Sequence, residues 1–214
     1  MKHAPIDYSL YLVTDRGLAR GRAMLDIVRA AVQGGVTCVQ LREKTCATRE
    51  FIEEALAVKE FLRSRGVPLI INDRLDVALA VGADGVHLGQ KDMPLAAARA
   101  IVTDTMLIGI SAESLADAVA AQRGGADYLG VSPIFATPTK TDAAAPLGLA
   151  GLQTIRRAVH IPLVAIGGLN RQNSAAVVRC GADGVAVVSA IVAAEDPEQA
   201  ARELVQVIRS ARLT

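Results

Sequence analysis

Residues 181–188 read GADGVAVV, and the same phrase recurs as GADGVHLG at 82–89, GGADYLGV at 124–131 and GGVTCVQL at 34–41. Each time a glycine and one or two small or polar residues separate a stretch with helical apolar spacing from a short β-branched run. Glycine enters the left-handed region cheaply, which is the conformation that ends a helix before the chain turns back. The run that follows is apolar at successive positions, as expected of a strand covered on both faces. Such phrases are the joints of βα units.

Working outward from them, eight apolar runs predict strands at Tyr8–Val13, Cys38–Leu41, Pro68–Ile71, Gly85–Leu88, Met106–Ile110, Tyr128–Val131, Pro162–Ile166 and Gly184–Val188. Most of the stretches between them have the period of a helix, as in FIEEALAVKEFLRSRG from Phe51. Sharing 214 residues among eight units leaves about 27 each, enough for a compact (β/α)8 TIM barrel, an α/β fold, as a single domain over 1–214. A doubly wound open sheet would carry an early G-x-G-x-x-G after its first strand, and TDRGLARGR at 14–22 is not that. A last helix, from about Glu198 to Leu213, is expected to close the ring.

Lys plus Arg number 23 and Asp plus Glu 22, so the formal charge of +1 provides no global field for a nucleic acid or an anionic membrane. No Trp, three Tyr and three Phe supply few platforms for stacking bases. The longest apolar stretch, Gly184–Ala194, falls short of the roughly 20 residues that span a bilayer. The N-terminal apolar stretch is interrupted by Thr14, Asp15 and Arg16, so no signal peptide is expected. Cys38, Cys46 and Cys180 lack metal-ligand spacing, Cys38 is expected to pack as a small hydrophobe, and a reducing cytoplasm suits all three. The expected partners are small molecules rather than nucleic acid or membrane, and homo-oligomerisation is left open.

Barrel enzymes carry their sites at the carboxyl ends of the strands, and here nearly every strand exit holds residues with chemical use. The seventh leaves through Gly167 and Gly168, followed by a helix expected from about Arg171 whose N–H groups could meet a phosphate. Ser189 at the eighth exit and Thr137–Lys140 after the sixth supply hydroxyls and an ammonium for the same anion. The alternative is that the glycines only make a tight turn and Ser189 caps a helix. Across the mouth stand Arg42 and Lys44, Asn72 and Asp73, and Asp92. Two carboxylates with two cations suit a Mg²⁺-bound polyphosphate, because Mg²⁺ takes one or two carboxylates and completes its shell with water and phosphate oxygens. The structural alternatives are an Asp73–Arg74 pair and Asp92 as a helix cap ahead of Pro94. His87 is expected as a hydrogen-bonded wall residue, with His3 and His160 on the surface. Glu43 could add a carboxylate, although alternation turns it away from Arg42 and Lys44.

YLVTDR, QLREK, INDRLDVALAVGADGVHLGQKDMP, GADYLGVSPIFATPTKTDAAAPLGLAG, VAIGGLN and GADGVAVVSAI, in this order and spacing, closely resemble the thiamine-phosphate synthase family from about Tyr11 to Pro197. The resemblance implies a cytoplasmic, Mg²⁺-dependent barrel enzyme joining 4-amino-2-methyl-5-pyrimidinylmethyl diphosphate to a thiazole ethyl phosphate. It implies that Gln40, Leu41, Arg42, Glu43, Lys44, Asn72, Ser111 and Lys140 contact the pyrimidine diphosphate, and that Asp73 and Asp92 hold the metal. Thr137, Pro138, Thr139, Gly168, Val188 and Ser189 would receive the thiazole phosphate. Ser111, Lys140, Arg42 and Lys44 would act on the departing diphosphate. Members of the family often place a histidine two positions after the fifth-strand serine, where this chain has Glu113. Related thiazole tautomerases use a histidine in that region, so Glu113 argues against such an activity. A barrel enzyme using Lys44 or Lys140 as base, and a non-catalytic precursor-binding regulator, are the other readings; the carboxylates and cations together favour catalysis.

Overall fold

The computed structural model describes residues 6–137 and 145–213. Within them eight parallel strands close into a barrel in sequence order, β1-β2-β3-β4-β5-β6-β7-β8, with β1 paired to β8 through Leu10 and Val185. The strands are β1 (Leu10–Val13), β2 (Cys38–Leu41), β3 (Leu69–Asn72), β4 (Gly85–Leu88), β5 (Leu107–Ala112), β6 (Tyr128–Val131), β7 (Leu163–Ala165) and β8 (Gly184–Val187). The first begins two residues later than expected and the fifth runs two residues further, to Ala112. The helices are α1 (Met24–Gln33), α2 (Thr48–Arg63), α3 (Leu75–Val81), α4 (Leu95–Ile101), α5 (Leu115–Arg123), α6 (Gly148–Ala158), α7 (Ser174–Arg179), α8 (Ser189–Val192) and α9 (Pro197–Arg212).

The recurring phrase builds the amino-terminal rim. Gly82 ends α3 with φ of 61°, and its N–H reaches back to the last turn of that helix. The polar residue just ahead of each even-numbered strand accepts a hydrogen bond from the preceding odd strand. Thr37 Oγ1 receives the Leu10 N–H at 3.1 Å, and the Oδ2 atoms of Asp84, Asp127 and Asp183 receive those of Leu69, Ile108 and Leu163 at 2.8, 2.7 and 2.8 Å. Strand ends expose N–H groups that cost free energy when unpaired, so the repeat satisfies a backbone need far from the opposite mouth.

Two apolar layers follow from the pleat, which sends successive side chains to opposite faces. Leu12, Leu41, Ile71, Leu88 and Ile108 face the helices, while Tyr11, Cys38, Ile70, Leu107, Tyr128 and Val164 fill the barrel. Cys38 is thus a packed small residue, as expected, and all three cysteines are free. Helix α9 starts with Asp196 capping the Gln199 N–H at 3.0 Å and Pro197 in its first turn, then buries Ala201, Leu204 and Ile208. No helix among the described residues is long and apolar enough to cross a membrane.

Candidate active site

A cavity of about 670 Å³ opens at the carboxyl ends of the strands. Strand parity decides which expected residues reach it. Gln40, Arg42 and Lys44 point inward and line the wall, as do Asn72, Asp73, Asp92 and Ser111. The side chains of Leu41 and Glu43 do not: Leu41 is fully buried against the helices, and Glu43 Oε2 is held outside the barrel by Arg16 Nε at 2.9 Å. The expectation that these two side chains contact a pyrimidine diphosphate is corrected on that ground, because successive residues along an extended strand point to opposite faces.

Asp73 follows β3 with φ of 60°, a left-handed conformation that aspartate tolerates better than most residues. Its N–H donates to the His87 carbonyl at 2.8 Å, and its carboxylate is paired with the Lys44 ammonium. It neither pairs with Arg74, which binds Asp76, nor caps α3. Asp92 is not a helix cap either, since Pro94 occupies that place. Its Oδ2 instead accepts the Gly89 N–H at 2.7 Å, closing the turn after β4. Burial pushes the Asp92 carboxyl above its usual range, and the adjacent Asp73 carboxyl, within hydrogen-bonding reach, pushes it further.

Two carboxyl groups so placed accept a proton or a cation between them, and two are as many as Mg²⁺ takes from a protein when phosphate completes its shell. The donor set therefore fits that ion. Nearby, Arg42 is aimed by Asp15 Oδ2 at 2.8 Å, and its backbone N–H donates to Thr14 Oγ1 at 2.9 Å. Asn72 Nδ2 is buried in the wall with no hydrogen-bond partner among the described residues, a donor awaiting an acceptor.

The Asp92 shift has a consequence for stability. A carboxyl raised on folding contributes stability in full below its unfolded value, and that contribution is lost as pH rises through the folded value. Protein stripped of divalent ions is accordingly expected to lose stability as pH rises above the ordinary carboxylate range, and Asp92→Asn to flatten that slope. Denaturant titrations across this interval check it, and an unchanged slope in the variant would assign the titration elsewhere.

On the opposite side, Thr137, Gly167, Gly168, Val188 and Ser189 line the same cavity. Pro138, Thr139 and Lys140 lie outside the described residues. The helix expected from Arg171 begins at Ser174 and contributes nothing to the wall; the helix end that does is α8, through Ser189 and Ala190. Ser189 makes no side-chain cap there, and the N-cap is Val188. Gly167 and Gly168 make room for a neighbouring loop. A methyl built on Gly167 would lie 2.7 Å from Pro133 Cα, and one on Gly168 would lie 2.6 Å from the Ala136 oxygen. Their lack of a side chain admits the loop after β6, which then presents Thr137 to the cavity.

The floor holds groups that strand-exit reasoning passed over. Tyr11 and Tyr128 reach it from inside the barrel, and His87 is hydrogen-bonded in the wall, as expected. Two phenols in otherwise aliphatic runs, in a chain with three tyrosines, were the available signal. Glu113 also lines the cavity.

Residues 10–191 match the family described as Thiamine monophosphate synthase. The thiamine-phosphate synthase of Chloroflexus aurantiacus is 60% identical over 93% of this chain and 92% of its own length. That of Albidiferax ferrireducens is 58% identical over 93% and 91%. Among solved structures, the thiamine phosphate pyrophosphorylase of Pyrococcus furiosus superposes with a TM-score of 0.89 at 41% identity, covering 96% of this chain and 97% of its own. With its strand order, its rim residues and these relatives in agreement, the chain belongs to the thiamine monophosphate synthase family.

Proposed function

We propose that this cavity joins a pyrimidine carrying a methylene diphosphate to a thiazole carrying an ethyl phosphate, releasing pyrophosphate and thiamine phosphate, in the cytoplasm. The observation that carries the reading is one cavity with the Asp73–Asp92 pair, Lys44 and Arg42 on one side and Thr137, Gly168 and Ser189 on the other. Asp73 and Asp92 would hold Mg²⁺, which supplies positive charge to the diphosphate as it leaves.

The carbon–oxygen bond breaks with its electron pair leaving on the diphosphate, and the pyrimidine amino group stabilises the cation left behind. The thiazole nitrogen then donates its lone pair to that carbon, forming the carbon–nitrogen bond. No protein nucleophile is needed. Arg42 and Lys44 take up charge, with Lys140 as a third cation; Asn72 offers its unpartnered N–H; Ser111 faces the departing oxygen. Closely held reactants account for much of the rate, since the chain has to align two bound molecules rather than bond to either.

Incubation with both phosphorylated precursors tests this. Pyrophosphate and thiamine phosphate are expected in equal amounts when both substrates and Mg²⁺ are present. Their absence under those conditions would overturn the transferase reading, and equal release in EDTA would overturn the metal assignment.

A further inference from the structure

Inside the barrel a hydrogen-bond chain crosses from β2 to β5. Gln40 Nε2 donates to the Tyr11 hydroxyl at 3.0 Å, the Tyr11 and Tyr128 hydroxyls meet at 2.9 Å, Tyr128 meets His87 Nδ1 at 3.0 Å, and His87 Nε2 meets Ser111 Oγ at 3.0 Å. Two strand glycines clear its path. A methyl on Gly109 would lie 2.1 Å from Tyr128 Cζ, and one on Gly130 would lie 2.8 Å from His87 Cε1. Tyr11 and Tyr128 are buried, and burial holds both phenols well above their ordinary range, so both keep their protons.

Each hydroxyl has one proton, and the amide at the blind end sets which way the protons point. With Tyr11 accepting from Gln40, its own proton goes to Tyr128, the Tyr128 proton goes to Nδ1, and Nε2–H donates to Ser111 Oγ. In the reverse order Tyr11 would accept twice. Its proton would then have no better acceptor among the described residues than the Cys38 thiol, a poor exchange in a dry interior.

We propose that this chain holds His87 as the Nε2–H tautomer and so keeps the Ser111 hydroxyl proton free to point into the cavity. His87 is thereby a positioning residue: it makes Ser111 a hydrogen-bond donor to the oxygen that leaves with the diphosphate. The inference rests on the transferase reading for its effect on rate, but its core statement concerns the protein alone.

Nitrogen-15 spectra of histidine-labelled protein at neutral pH test that core. His87 is expected to show a protonated Nε2 and a bare Nδ1, and Tyr128→Phe to erase the preference; a protonated Nδ1 in the native protein overturns the proposal. Kinetics test the consequence. His87→Leu is expected to lower kcat by about 10- to 100-fold, with KM little changed. That is less than the roughly 10²- to 10³-fold of deleting an aligned donor outright, because the Ser111 hydroxyl remains and only its direction is lost. His87→Gln, which keeps an N–H near the Nε2 position, is expected to recover most of it. The double variant with Ser111→Ala is expected to be no slower than Ser111→Ala alone, because both changes act through the same donor. Multiplying losses would mean a merely structural histidine and would overturn the assignment. Native protein that turns over no substrate strikes the transferase reading, whereas a wrong tautomer strikes this one.

Discussion

Asp73→Asn is expected to lower Mg²⁺-dependent turnover on the order of 10³-fold while the protein stays folded, the scale found when an aligned electrostatic partner is removed from a transition state. The substitution keeps the shape of the side chain, and asparagine shares with aspartate a tolerance for the left-handed backbone that this position adopts, φ 60°. What changes is charge. The amide cannot replace a carboxylate as a metal ligand of equal strength, and it releases the Lys44 ammonium that Asp73 now holds. It also relieves Asp92, whose carboxyl is raised in part by Asp73. Asp73→Ala is expected to act in the same direction, with some added loss of stability from placing alanine in a left-handed conformation. The measurement is turnover at saturating concentrations of both substrates across a Mg²⁺ series, with circular dichroism as the check on folding. Undiminished activity would remove Asp73 from the metal site and with it the mechanism proposed above.

Gly168→Ala is expected to raise KM for the thiazole phosphate by about 100-fold and leave KM for the pyrimidine diphosphate within a small factor, because displacing a binding group by about an ångström has effects of that size. The new methyl would stand 2.6 Å from the Ala136 oxygen and 2.9 Å from Phe135 Cβ, on a backbone with φ of 65°. The backbone cannot yield toward the helix side, since Asn173 Nδ2 grips the Gly168 carbonyl at 2.9 Å. The loop after β6 therefore gives way, although Phe135 N–H holds it to the Gly167 carbonyl at 3.0 Å. That loop brings Thr137 to the cavity. Single-substrate variation of the initial rate separates the two KM values. An equal rise in both would mean a general collapse of the mouth rather than loss of one subsite.

Much of this protein could be read before any coordinates. The glycine phrase and the continuous apolar runs marked eight strands, and the observed strands overlap all eight of those runs. The reason is that parallel strands buried on both faces have few compositional alternatives, and glycine is the cheapest residue for a left-handed helix end. The rim was legible as well: Arg42, Lys44, Asn72, Asp73, Asp92, Ser111 and Ser189 all line one cavity. Less legible were the helix starting at Ser174 rather than Arg171, and the aspartates of the repeated phrase, which serve neighbouring strands at the far end of the barrel. A capping partner one strand away leaves no local trace.

The sequence by itself determined the α/β barrel, its order of units and the chemical inventory of its mouth, because these follow from local periodicity and from residue type at strand exits. Only the tertiary structure decided the rest. Closure of β8 on β1 and the shared pleat put Gln40, Arg42 and Lys44 inside while Leu41 and Glu43 went out. They also brought Asp73 against Asp92 and linked Tyr11 to Tyr128 across 117 positions of sequence. The physical reason is that a hydrogen bond or a shared proton depends on separations of about 3 Å, and such separations between distant strands are set by packing of the whole barrel rather than by any segment of it.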